Sequence, residues 1–258
     1  MSEVDSRAIV SASARLGQNV RIGAFAFVGD GVEMGDDCVL EPHAVVRGPA
    51  RIGRANVFDS FCSVGGDPQD LKFGGEHTEL IVGDANRFRE FCTVSRGTTG
   101  GGGVTRIGND NLFMAYTHVA HDCTLGNNIV MVNYAGLAGH VDLGDWVILS
   151  GYTGVHQFCK IGAHAFTAAL SGVTRDVPPY IMAVGQPAVP HSINAEGLRR
   201  RGFTAEQIRN LRNAYRILYR SDQPLAVAVE QLATLAPSQP ELRPLIDFIA
   251  ASERSLIR

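Results

Sequence analysis

Between Thr117 and His140 the chain reads T-H-V-A-H-D-C-T-L-G-N-N-I-V-M-V-N-Y-A-G-L-A-G-H, a concentration of groups able to move protons. His118, His121 and His140 supply imidazoles, and Asp122 a carboxylate next to one of them. An imidazole, with an ordinary pKa near about 6.5, is suited to take a proton from a hydroxyl at neutral pH. A carboxylate beside it orients the ring and stabilises its charged form. The chemistry in view is general-base activation of a nucleophile.

The elements that must position these groups show in a six-residue rhythm: Val119, Leu125, Met131 and Leu137. Tandem repeats this short signal a parallel β-helix, each repeat being one strand and one corner. Three repeats close a coil, so Asp122 is expected one coil below His140 and His121 one coil below Gly139, with coils about 4.8 Å apart. His121 and Asp122 would point to opposite sides of an ideal strand, so their pairing requires a corner between them. The rhythm runs from Leu16 through Ile22, Val28, Met34, Leu40, Val46, Ile52 and Phe58 to Val64, and again from Ile107 to Ile161, then Thr167 and Val173. Gly follows it at Gly17, Gly23, Gly29, Gly35 and Gly53, which predicts corners with positive φ. Tyr116, Tyr134 and Tyr152 share the coil spacing and predict an outer ladder against a neighbouring subunit.

Two stretches break the rhythm: a turn-rich insert near 65–78 and a flexible glycine-rich one near 98–105, which lacks the G-K-[ST] of a phosphate loop. Asp176-Val177-Pro178-Pro179 is expected to end the β-helix. From about Asn194 the period becomes helical, with a capping box at Thr204-Ala205-Glu206-Gln207 and helix starts at Pro224 and Pro240. The expected organisation is a mainly β protein: a parallel β-helix over 1–189, then a small α-helical domain over 190–258 that caps one end.

The 258 residues are 45% hydrophobic with a net charge of -3, which offers no electrostatic case for nucleic acid. No run is apolar enough to span a bilayer and Met1 to Arg7 lacks a signal peptide's apolar core, so the reading is cytoplasmic. Cys38, Cys62, Cys92, Cys123 and Cys159 each fall four residues after a rhythm residue, a pattern of small buried side chains rather than disulfides or a zinc knuckle.

Six motifs then occur in order: Asp67-Pro68-Gln69-Asp70-Leu71-Lys72, His118-Val119-Ala120-His121-Asp122, Ala138-Gly139-His140-Val141, Val155-His156-Gln157-Phe158, Asp176-Val177-Pro178-Pro179-Tyr180, and Asn194 to Phe203. With them the chain resembles, over nearly its whole length, the UDP-N-acetylglucosamine O-acyltransferases that begin lipid A synthesis in Gram-negative bacteria. The resemblance implies a left-handed β-helix, a homotrimer with sites between subunits, and no metal or cofactor. It implies transfer of an (R)-3-hydroxyacyl group from acyl carrier protein to the sugar's 3-hydroxyl. It makes His121 the base, Asp122 its partner, and the Gly139 N–H the oxyanion donor. Gln69, Asp70, Lys72, His118, His140, Gly151, His156, Asn194, Glu196, Arg200 and Arg201 become substrate-binding residues. Ala169, with Phe166 and Leu170, becomes the stop for the acyl chain.

Ser95, Gly66 and Tyr134 depart from the family pattern and leave open an acceptor with a 3-amino group. Zinc is the competing reading of the histidines, but His118 and His121 are three apart and no third His stacks at coil spacing. The related N-acyltransferase later in the pathway carries an added N-terminal uridine-binding domain, for which a rhythm starting near Ile9 leaves no room.

Overall fold

The computed structural model describes residues 2–258. Three sheets of two- to five-residue strands wind into a left-handed parallel β-helix of triangular section. Sheet A runs through Val39–Leu40, Leu112–Phe113 and Val130–Met131, sheet B through Val45–Val46, His118–Val119 and Gly136–Leu137, and sheet C through Arg15–Leu16, Thr124–Leu125 and Asp142–Leu143. Register follows the coil: His118 pairs with Gly136, and Thr124 with Asp142. Every second strand residue faces the axis, so the rhythm residues from Ile22 onward fill one narrow core, with Phe58, Phe88 and Phe113 stacked within it. Each such Leu- or Phe-sized side chain contributes about 1.5–3 kcal/mol by leaving water. All five cysteines are free and buried.

The corners are not turned as the glycines suggest. Gly17, Gly23, Gly53, Gly83, Gly108 and Gly144 all have ordinary φ. They are glycines because coils touch there: a Cβ on Gly83 would stand 2.7 Å from the Gly108 carbonyl oxygen, and one on Gly144 2.6 Å from the Ala163 nitrogen. The left-handed residue is three places after the rhythm residue and is usually large. At the corner between sheets A and B, Phe25, His43, Phe61, Phe91, Tyr116, Tyr134 and Tyr152 all hold φ between +58° and +64°. Such backbone costs roughly 1–2 kcal/mol per residue. Ring stacking offsets part of it, since all seven rings form one ladder with centroids 4.7 to 5.4 Å apart. The expected tyrosine ladder is therefore the upper part of a longer one.

Pro178 and Pro179 do not end the solenoid. Ile181–Val184 still pairs in parallel with Phe166–Thr167, and only then does Val189–Ile193 fold back against it as an antiparallel hairpin. Four helices follow: α1 (Ala195–Arg200), α2 (Ala205–Tyr219), α3 (Leu225–Leu235) and α4 (Arg243–Ala250). Thr204 and Gln207 form the capping box of α2, whose apolar stripe of Ile208, Leu211, Tyr215 and Leu218 is buried.

Candidate active site

Both inserts leave the prism at the corner between sheets B and C, and the same corner carries Asp122, His140 and Phe158 on successive coils. Asp122 is its left-handed residue, with φ at +61°. That bend lets two adjacent side chains meet: His121 Nδ1 and Asp122 Oδ2 lie 2.7 Å apart. The coil arithmetic also holds, for the His140 N–H donates to the His121 carbonyl at 3.0 Å. The His140 ring stacks on Phe158 at 4.4 Å and meets the His121 ring edge-on at 5.3 Å.

Asp122 is buried by the second insert rather than by the core. The Thr98 N–H and hydroxyl donate to its two oxygens at 2.8 and 2.6 Å, and Thr105 Oγ1 accepts the Asp122 N–H. Gly101 packs so closely that any Cβ there would overlap the carboxylate. The insert is thus a tight strap with a short turn over Thr99–Gly101, not the loose segment its glycines imply. The carboxylate side chain is fully enclosed, while His121 keeps 15% of its side chain exposed.

Gly139 lies against the imidazole. A Cβ there would come within 2.6 Å of His121 Cε1 and 2.9 Å of Nε2. Its φ is ordinary, so the requirement is for space, and its N–H finds no acceptor among the described residues. With Asp122 engaging Nδ1, His121 presents Nε2, which has no hydrogen-bond partner among the described residues, as a proton acceptor.

The floor beside this pair carries little side-chain bulk up to Gly154, and the Gln186 side chain packs over Gly172. On sheet B, Gly136, Gly154 and Gly172 stand in a column above His118, and Ala120 and Ala138 in the column below His156. The His118 ring bonds Thr93 Oγ1 at 2.7 Å, and burial, with the nearby His121, lowers its pKa. His156 is exposed. Among the described residues, His121, Asp122 and His140 have potential ligand atoms within 4.8 Å of one another, but Asp122 already gives both oxygens to Thr98 and one to His121.

Two family models match: one described as Udp N-acetylglucosamine O-acyltransferase, Domain 2, over residues 176–257, and one as Bacterial transferase hexapeptide (six repeats) over residues 13–48. The acyl-[acyl-carrier-protein]--UDP-N-acetylglucosamine O-acyltransferase of Xanthomonas euvesicatoria pv. vesicatoria is 52% identical over 97% of this chain and 96% of its own length. The chain belongs to the UDP-N-acetylglucosamine O-acyltransferase family. Solved structures agree. LpxA from Acinetobacter baumannii is 42% identical with a TM-score of 0.96, each chain covered over 99%. The UDP-N-acetylglucosamine acyltransferase of Bacteroides fragilis is 38% identical with a TM-score of 0.96, covering 99% of this chain and 100% of that one.

A single chain of this acyltransferase does not gather all the expected residues. Gln69, Asp70 and Lys72 lie on the first insert at the dyad's corner, with the Asp70 carboxylate accepting the Lys72 N–H. Gly66 pairs with Ser95 nearby, whereas Tyr134 belongs to the ladder on the far edge of sheet B. Gly151 and the exposed Ala169 and Leu170 stand on that far edge too, with Phe166 on sheet A. Asn194, Glu196, Arg200 and Arg201 collect near the third corner. There Asn194 caps α1, Glu196 pairs with Arg199 and Arg200, and Arg201 lies 5.1 Å over the Trp146 ring. Arg201 also reaches His164 Nδ1, and burial, then Arg201, pushes the His164 pKa down to about 4.

Sequence reasoning missed Thr98 and Thr105, the partners of Asp122, and Arg96, the anchor of the first insert. Arg96 pairs with Asp67 at 2.6 Å, bonds Thr78 Oγ1 and covers the Phe73 ring at 5.3 Å. Their only signal is that both threonines and the arginine sit at the margins of the second break in the rhythm.

Proposed function

We infer that this enzyme transfers an (R)-3-hydroxyacyl group from acyl carrier protein to the 3-hydroxyl of UDP-N-acetylglucosamine. The observation that carries this is the His121–Asp122 pair, 2.7 Å apart, lying under Gly139 beside a floor where Gly136 and Gly154 present no side chain. His121 Nε2 removes the hydroxyl proton as the oxygen attacks the thioester carbonyl. The Gly139 N–H receives the developing oxyanion. Asp122 stabilises the imidazolium, which returns its proton to the carrier thiolate as the carbon–sulfur bond breaks. A floor of Gly136 and Gly154 suits a flexible acyl chain laid along the prism, with its end at Ala169, Leu170 and Phe166. His118, His140 and His156 border the groove, and the first insert brings Gln69, Asp70 and Lys72 to the sugar nucleotide and the donor.

The enzyme works as a homotrimer, and the grooves lie between subunits. The outer face of sheet A is mainly apolar, with Val39, Val57, Leu112, Val130 and Ile148 interrupted by Arg21 and Arg87, whereas sheet C shows Arg15, Glu33, Arg51, Arg106 and Lys160. An apolar face beside an exposed ring ladder fits contact with another copy. Assembly also lets one chain's dyad meet a neighbour's Ala169 edge and Arg200–Arg201 corner. Among the described residues no helix is long and apolar enough to cross a membrane, and we place the reaction in the cytoplasm.

The test is turnover of His121→Ala with hydroxyacyl carrier protein and UDP-N-acetylglucosamine. The expected loss is roughly 10²–10⁴-fold in kcat with folding intact. Turnover near that of the parent would remove His121 as the base.

A further inference from the structure

Among the described residues, the Asp122 carboxylate takes no hydrogen bond from the core or from its own coil except through His121. Everything else that holds its carboxylate comes from the second insert: the Thr98 N–H at 2.8 Å, the Thr98 hydroxyl at 2.6 Å, and the space left by Gly101. The insert is in turn tied to the first one, since the Thr99 hydroxyl donates to Glu76 Oε1 at 3.3 Å. A buried carboxylate with a single donor would be free to rotate, and His121 with it.

We propose that Thr98 is a positioning residue for the reaction. Its hydroxyl fixes the Asp122 carboxylate so that one oxygen faces His121 Nδ1, and it draws off enough of the negative charge to keep His121 an effective base. The proposal rests on the reading of His121 as base and names the group that sets its orientation and its working pH.

The charged and titratable groups around the pair are few. His118 faces His121 from sheet B, His140 approaches Asp122 Oδ2 to 3.7 Å from the coil above, Asp142 lies beyond His140, and Glu76 acts only through Thr99. None of these donates to the carboxylate from the side that Thr98 occupies. Removing the Thr98 hydroxyl leaves the carboxylate's charge more fully directed at the imidazole. That favours protonated His121, so a higher pH is needed to free the base.

Four proteins decide the matter: Thr98→Val, Thr98→Ser, Asp122→Asn, and Thr98→Val combined with Asp122→Asn, each assayed across pH with hydroxyacyl carrier protein and UDP-N-acetylglucosamine. Thr98→Val is expected to lower kcat/KM roughly tenfold or more, as for loss of a hydrogen bond to a charged group. It should also move the acidic limb of kcat/KM upward by about half a pH unit or more. Thr98→Ser should restore both. On the Asp122→Asn background Thr98→Val should cost less than about threefold, because its partner is already altered. An unmoved acidic limb, or a full second loss on the Asp122→Asn background, would overturn the proposal and leave Thr98 a structural residue. Thr98→Ala, which adds no bulk, carries the same comparisons if Thr98→Val fails to fold. His121→Ala is run alongside: if it keeps its turnover, the base assignment itself has failed.

Discussion

Replacing Gly139 by alanine tests the geometry of the site most sharply, because it adds one methyl and removes no donor. Backbone strain is not the issue, since Gly139 has ordinary φ. The methyl meets the base instead. Its carbon would stand 2.6 Å from His121 Cε1, where ordinary contact begins at 3.4 Å, so the ring must retreat by about 0.8 Å. A retreat of that size away from Asp122 stretches the 2.7 Å Nδ1 contact to about 3.5 Å, the limit of a hydrogen bond. A misplacement near 1 Å at a reacting group costs about 10²-fold, or ~2.7 kcal/mol of barrier. Gly139→Ala should therefore lose roughly a hundredfold in kcat. Its KM for the sugar nucleotide and its thermal midpoint should stay close to the parent's, because the buried glycine packs against the His121 ring and not against the aliphatic core. The assay is initial rate against both substrates together with a melting curve. Turnover within threefold of the parent would show that the imidazole does not work from the position described.

Three further outcomes follow from the same structure. Ala169→Met should shift the preferred hydroxyacyl chain about two carbons shorter, because each methylene denied burial costs ~0.8 kcal/mol and two amount to about fifteenfold in binding; kcat/KM over a series of acyl carrier proteins reads it, and an unmoved optimum would place the end of the groove elsewhere. Sedimentation equilibrium should return a trimer at micromolar concentration, and a monomer there would remove the shared groove. His164, held near a pKa of about 4 by burial and Arg201, binds a proton more readily when unfolded. Its contribution is present above the unfolded value of about 6.5 and is lost as pH falls toward 4. His164→Gln should flatten the fall of the urea midpoint over that window, and an unchanged slope would mean that other groups govern it.

The coil was readable because a β-helix repeats its own cross-section. Val119, Leu125 and Met131 announce three sides of a triangle, and from that alone His121 falls below Gly139 and Asp122 below His140. What failed to show has physical causes. A glycine in a repeat fits two explanations, positive φ or close approach, and the sequence does not separate them; Gly83 and Gly108 are there for approach. The left-handed residues went unnoticed because Phe91 and Tyr116 are among the side chains least expected in that conformation. Thr98 was invisible because its bond to Asp122 spans 24 residues and lies outside the period. Asn194 entered the sequence reading as a ligand group alone, and its role as the cap of α1 went unread because the same side chain serves both purposes.

Both excursions leave from one corner, and the coils on either side pair as though nothing intervened: Val64 lies against Val94, and Val82 against both Ile52 and Ile107. Lengthening such a loop raises its closure entropy only as the logarithm of its length, about 0.6 kcal/mol per doubling. The scaffold is thus mechanically indifferent to what hangs from that edge. Heredity can tinker with the appendages that greet a ligand while the column that displays them stays fixed, so specificity in this architecture is free to drift without dragging foldability along.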